Sequence, residues 1–322
     1  MPCQASGHAS YHFDPHKYSN LGGLNAILSQ ARYMRYDPRD FCKNFFASAP
    51  FRLAFLLPVL FIIIHVSQPR GATLHTRTLE AYQSYIEEVE QELLDRKEGS
   101  LPYLLTSTSP GNLISLSQNQ VIVRNLHPKD DTPKGIIHDW LGAVFFQGAS
   151  LDQVLEEIMD VEQHPEIFHE IISSEILQRK GNTVTSRAVY RIDGTLTVEA
   201  DVELETSLER LSPNRARILC RSTRVNEIDN FGQPNQRLLP EGQDRGLIWR
   251  INNYVTLEEN EKGVTMECRS IHLSRGLPFG ISFILGPFLK KMPPDLVKSM
   301  LTALKDFMAE EAGIKPGGEM AN

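Results

Sequence analysis

Residues Pro293 to Ala312 are the stretch on which the rest of the chain depends. Val297, Met300, Leu301, Leu304, Phe307 and Met308 recur at steps of three and four, which places them on one face of an α-helix. Lys298, Lys305, Asp306, Glu310 and Glu311 fall mostly on the other face. Pro293, Pro294 and Asp295 supply a start, and Gly313 and Pro316 a stop. So wide an apolar face needs a broad surface to lie on. The strand-like sequence before it supplies one, as a curved sheet with a pocket between sheet and helix.

The strands can be read in order. Ile136 to Gln147 is a first strand, and Ser150 caps a helix from Leu151 to about Met159. Pro165 opens a second short helical turn. Six strands follow: Ser174 to Arg179, Thr183 to Ile192, Leu196 to Thr206, Arg215 to Asn226, Leu247 to Glu258, and Val264 to Leu273. Tight turns such as Gly181-Asn182, Asp193-Gly194 and Ser212-Pro213-Asn214 imply an antiparallel meander. The exception is Ile228 to Gly246, a long polar connection that reads as a rim or an insertion.

The N-terminal part has a different character. Residues 1–50 are polar and aperiodic and read as a disordered leader, with Met34 as an alternative start. Leu53 to Ile64 (LAFLLPVLFIII) carries no charge and follows Arg35, Arg39, Lys43 and Arg52. A basic leader before an apolar core is the pattern of a signal peptide. No clean cleavage site follows, so residues 51–68 read as a signal-peptide core or an uncleaved membrane anchor, with a buried core helix as the third option. Either of the first two places the body outside the cytoplasm, in the periplasm or cell envelope. Within 69–134, Leu79, Tyr82, Ile86, Val89 and Leu93 mark an amphipathic helix that packs on the main domain or, as the alternative, on a second copy, and the rest reads as linker with a short edge strand near Val121 and Val123. Residues 313–322 read as a disordered tail.

Composition narrows the partners. Net charge is −7, and residues 1–52 contribute six basic against three acidic side chains, which leaves −10 for the remainder. An acidic body without a basic stripe argues against nucleic acid. Cys3, Cys42, Cys220 and Cys268 show no CxxC spacing, so neither a zinc ribbon nor a dithiol redox site is indicated, and the latter two read as buried free thiols. His164 and His169, with Pro165 between them, do not share a helical face, so no metal site is expected. No nucleophile elbow, metalloprotease, phosphate-loop or dinucleotide motif is present, and no cofactor is called for.

The order of one strand, two short helices, a six-strand meander and a long final helix is that of the helix-grip fold, an α+β architecture with a curved antiparallel sheet wrapped around a C-terminal helix. Residues 135–312 resemble the START-like superfamily, also called SRPBCC or polyketide cyclase/lipid-transfer. The residues that carry the resemblance are GAVFFQGASLDQVLEEIMDVEQHPEIF and PPDLVKSMLTALKDFM. IIHDWLGAVF, STRVNEIDN, LIWRINNY and LSRGLPFGISFILGPF are similar to uncharacterised bacterial exported members. The resemblance implies a cavity for an apolar or amphipathic ligand such as a lipid or polyketide-like molecule. It carries over no catalytic residue; some members are cyclases or dehydratases, and many only bind or carry.

Strand parity nominates the lining. Val264, Met266, Cys268, Ser270 and His272 form the smaller face of their strand and so the concave wall. Ile218, Cys220, Ser222 and Arg224 align, as do Ile136, His138 and Trp140; in the strand Leu247 to Glu258, Arg250, Asn252 and Tyr254 share one side and Trp249, Ile251 and Val255 the other, and either side can face inward. The ligand-cavity candidates are therefore His138, Trp140, Arg224, Arg250, Tyr254 and His272. An arginine would anchor a carboxylate head, and a histidine would serve as acid or base if the protein is an enzyme; each also has an ordinary reading as an ion pair or a core histidine. The uncharged stretch Leu277 to Leu289 reads as a loop, either a lid over the pocket or a segment dipping into a membrane through Leu277, Phe279, Ile281, Phe283, Ile284 and Phe288.

Overall fold

The computed structural model describes residues 72–127, 132–194, 197–276 and 282–311. The chain divides into two units, Met1–Gln68 and Pro69–Asn322. The first unit, with the polar leader and the apolar segment 51–68, lies outside the described residues, as does the tail 313–322. Among the described residues no helix is long and apolar enough to cross a membrane.

The second unit begins with helix α1 (Thr76–Glu98). It ends on Gly99, whose φ of 85° suits the left-handed cap and lets its N–H reach back to the last turn. A 3-10 turn (Thr106–Thr108) and helix α2 (Pro110–Ser117) occupy the stretch expected to be linker, and strand β1 (Ile122–Asn125) is the edge strand expected near Val121 and Val123. Strand β2 (Gly135–Gln147) leads into α3 (Leu151–Met159) and α4 (His164–Ile167). At the start of α3 the Ser150 side chain accepts from the Gln153 N–H, and the Gln153 side chain accepts from the Ser150 N–H. Such a reciprocal cap is worth about 1 kcal/mol.

The meander follows as β3 (Ile171–Lys180), β4 (Thr183–Ile192), β5 (Val198–Ser212), β6 (Arg215–Asp229), the short β7 (Arg237–Leu239), β8 (Arg250–Asn260) and β9 (Gly263–Arg275). All pairings are antiparallel, and the sheet order is β1-β2-β9-β8-β6-β5-β4-β3, with β7 against β6. The connection from β6 to β8 is a fixed element. Buried Asp244 accepts from the Trp249 indole and the Gly246 N–H, and its backbone carbonyl accepts from Ala72 N–H.

Helix α5 (Ser282–Glu311) corrects one boundary and one expectation. It starts eleven residues before Pro293, so Phe283, Ile284 and Phe288 belong to a helix and not to a loop. Leu277, Phe279 and Ile281 lie outside the described residues. Proline's φ is already helical. The pair Pro293-Pro294 therefore removes two backbone hydrogen bonds without ending the helix, which is why it reads as a start in sequence.

Val297, Leu301, Leu304 and Met308 of α5 are buried against Val144, Phe146, Leu257, Val264 and Met266 of the sheet and Leu151, Val154 and Ile167 of the short helices. Each such side chain contributes about 1.5–3 kcal/mol. The opposite sheet face receives α1, where Tyr82, Val89 and Leu93 pack on Ile137, Trp249, Ile271 and Leu273.

Candidate functional site

Register fixes which side chains share the concave face. His138 pairs with His272, Trp140 with Ser270, Gly142 with Cys268 and Val144 with Met266 across β2 and β9. Across β8 and β9, His272 pairs with Ile251, Ser270 with Asn253 and Cys268 with Val255. Cys220 of β6 joins this row through Asn253. Residues opposite one another in a ladder point to the same side.

The concave face has two halves. In the first, α5 lies directly on the strands. A Cβ at Gly142 would stand 2.4 Å from Leu301 Cδ1 and 2.5 Å from Val297 Cγ1, so this glycine is what lets the helix approach. Val144, Ala216, Leu257 and Val264 there have no accessible surface.

In the second half the wall changes character. His138, Trp140, Tyr190, Cys220, Ser222, Asn253, Cys268, His272 and Ser274 all keep partial accessibility. Four of them are nonetheless ruled by desolvation. Burial draws the His272 imidazole down to about 4, with a lesser effect of His138, and pushes the Cys268 thiol up to about 12. It raises Cys220 and the Tyr190 phenol as well. Side chains deep in the protein that retain accessible surface are those that line an interior hollow.

The polar atoms of this half form two small groups. Ser270 Oγ donates to Asn253 Oδ1 at 2.6 Å and lies 2.9 Å from His272 Nε2. His138 Nε2 lies 3.0 Å from Ser274 Oγ. Of the six cavity residues expected from sequence, the structure brings together His138, Trp140 and His272 on this wall. Asn253 and Ser274, which the sequence did not single out, join them. Their signal was parity: Ser274 is two residues from His272, and Asn253 shares a face with Ile251 and Val255.

Arg224, Arg250 and Tyr254 are placed elsewhere. A β-bulge lies between the pairs Glu203–Arg224 and Leu204–Ser222, so one extra residue of β6 turns Arg224 to the convex face. There it donates to Glu203 at 2.6 Å and to Asp201 at 3.2 Å. Arg250 pairs with Glu241 at 2.9 Å, and the Tyr254 hydroxyl donates to Glu90 of α1 at 2.7 Å.

The convex face under α1 holds charges. Arg269 donates to Asp139 at 2.7 Å and to Glu92 at 2.8 Å, and the Tyr85 hydroxyl donates to Asp139 at 2.6 Å. Burial alone would raise Glu92, but hydrogen bonds from Arg96 and Arg269 bring it below the usual carboxylate value. Glu267 is buried and accepts from the N–H groups of Leu105 and Thr106. His164 meets the Ile158 carbonyl, and among the described residues no group of three or more His, Cys, Asp or Glu could hold a metal ion.

No protein-family model and no curated protein matches this sequence. Solved structures do align. They include TTHA0849 from Thermus thermophilus, at 16% identity over 55% of this chain and 99% of that one, TM-score 0.37. A STAR-related lipid transfer protein from Xanthomonas axonopodis aligns at 14% identity over 58% and 98%, TM-score 0.36. Zhui aromatase/cyclase from a Streptomyces species aligns at 14% over 55% and 96%, TM-score 0.35. Identities this low bear on the fold alone, and at these scores the decision rests on element order. Here that order is a strand, two short helices, the meander and a long helix pressed into the concave face at Gly142. The fold is START-like. In this chain the concave wall is apolar where the helix touches it and polar at the histidine pair.

Proposed function

We propose that this protein binds a hydrophobic or amphipathic small molecule, a lipid or polyketide-like compound, between the sheet and α5, and carries out no reaction on it. The observation that supports this is the concave half-wall of His138, Trp140, Tyr190, Asn253, Cys268 and His272, desolvated yet accessible, beside a half that α5 fills completely. An enzyme of the cyclase or dehydratase type would use His138 or His272 as acid or base and an arginine to hold a developing negative charge. Both arginines expected for that role face the other way and are paired with carboxylates, so binding is the reading the wall supports best.

The basic leader and the apolar run Leu53 to Ile64 support export, with the body held at or beyond the membrane in the cell envelope. The deciding experiment is native mass spectrometry of the gently purified protein, with solvent extraction of what co-purifies. A discrete apolar mass released on denaturation is the expected result. Absence of any such mass, together with no uptake of a neutral fluorescent probe, would overturn the proposal.

A further inference from the structure

The charge distribution around the hollow says more than its shape. Six arginines of the sheet, Arg187, Arg217, Arg221, Arg224, Arg250 and Arg269, sit on the convex face and are bonded to carboxylates or, for Arg217, also to the Leu93 carbonyl. On the concave side, three charged pairs are described. Glu227 is buried and accepts from the Arg245 side chain and from the N–H groups of Arg245 and Leu247. Arg237 pairs with Asp229 at 3.0 Å, two residues further along β6. Arg210 pairs with Asp152 at the far rim. None of the three has a charge to spare. Around the accessible half, the described polar groups are hydroxyls, an amide and two imidazoles.

The proton count gives a direction. A serine hydroxyl has one hydrogen. Ser270 gives its hydrogen to Asn253 Oδ1, so at 2.9 Å the His272 Nε2 must carry the hydrogen of that contact and donate to Ser270 Oγ. The neutral ring then presents Nδ1 as a bare acceptor, and Nδ1 has no partner among the described residues. Burial keeps the ring neutral at physiological pH, so it offers no positive charge to an anion.

We infer that the hollow selects a ligand whose buried polar end is uncharged and donates a hydrogen bond, such as an alcohol, a phenol or an amide N–H, and excludes the carboxylate or ammonium of the same skeleton. This rests on the binding function proposed above. Among the described residues of this wall a charged end would meet no carboxylate or guanidinium left unpaired, so losing its hydration there costs several kcal/mol. An ether of the same skeleton would leave the imidazole acceptor unsatisfied, a smaller penalty.

The test is displacement of the neutral probe N-phenyl-1-naphthylamine from the full chain at pH 7.5 by four ligands of one length: 1-decanol, decyl methyl ether, decanoate and decylammonium. Decanol is expected to displace the probe at concentrations at least about tenfold below decanoate or decylammonium, and several-fold below the ether. Equal potency of the four, or a lead for either charged ligand, overturns the inference while leaving binding intact. No uptake of the probe or of any ligand overturns the binding proposal itself, and the inference with it. His272→Phe, which keeps ring volume and removes the acceptor, is expected to abolish the advantage of decanol over the ether, read as the ratio of their displacing concentrations. Ser270→Ala gives a second reading of the same hydrogen-bond chain should the first variant fold poorly; an advantage that persists in a folded variant of His272 overturns the donor assignment.

Discussion

On β9, Arg269 and His272 stand three residues apart and face opposite ways. Arg269 lies under α1 against Asp139 and Glu92, a fully formed ionic cluster with a tyrosine hydroxyl closing it. His272 lies in the concave wall, neutral, in a chain of uncharged hydrogen bonds. The convex face thus buries charge by pairing it, and the described residues of the accessible concave wall offer hydroxyls, thiols, an amide and the neutral His272 beside His138. Pairing fixes the surface in one arrangement, which suits a permanent contact with α1. An uncharged wall retains unsatisfied capacity at little cost, which suits a surface whose partner comes and goes. Predictions that break or sharpen this contrast can be ranked by the size of effect.

The largest effect is expected on the convex face. Asp139 has no accessible surface, and Arg269→Ala leaves its carboxylate buried with Tyr85 as its remaining side-chain donor among the described residues. Breaking one partner of a buried pair costs about 3–5 kcal/mol. Urea unfolding should show that loss, while a folded fraction of the variant should still take up the neutral probe, because the wall proposed to bind it lies on the other face. Loss of uptake in properly folded protein would mean the two faces are not separable.

Next comes the pH response of the concave face. His272 has a folded value near 4 against an ordinary 6.5. Its native state holds the neutral form, so the unfolded chain binds the extra proton between those values. Stability from this group is therefore complete above about pH 6.5 and is lost as pH falls toward 4, by about 3 kcal/mol at most for a shift of that size. The difference in unfolding free energy between wild type and His272→Gln should narrow as pH drops through this window. A constant difference would place the imidazole in contact with water. A smaller cost, about 1–3 kcal/mol, is expected for Gly142→Ala, whose new Cβ must displace the ends of Leu301 and Val297. Thermal denaturation reads the cost, and a changed probe affinity would show that the seat of α5 sets the size of the hollow.

How far the sequence foretold this differs between the two faces. Strand identities, the Ser150 cap, the amphipathic arm and the apolar stripe of the last helix follow from periodicity and capping chemistry, which are local. The order of elements was enough to suggest the fold. The start of α5 was missed because proline suits a first turn and a helix interior by the same dihedral. The candidate site was half legible. His138, Trp140 and His272 follow from parity alone, because β2 and β9 pair along their whole length without interruption. Tyr254 and Arg250 could not be assigned, since both faces of β8 are covered, one by α1 and one by the core, and both are rich in aromatic or apolar groups.

Arg224 is the sharpest case and gives the smallest expected effect. Counting by twos from Ile218 through Cys220 and Ser222 puts Arg224 in the concave wall, and only the bulge at Glu203–Leu204 against β6 reverses it. A bulge depends on the partner strand and leaves no mark on the strand's own alternation. Arg224 is about one-third exposed, and Asp201 keeps a second partner in Arg187, bonded at 2.8 Å and 2.5 Å. Arg224→Ala should therefore cost no more than about 1 kcal/mol in urea unfolding. It should also leave the ratio of decanol to decanoate affinity unchanged, since no guanidinium reaches the ligand. Had parity been the true guide, the same substitution would remove a head-group anchor and abolish carboxylate binding. A single titration of decanoate against wild type and Arg224→Ala therefore decides whether the bulge, and with it the uncharged wall, is where the register puts it.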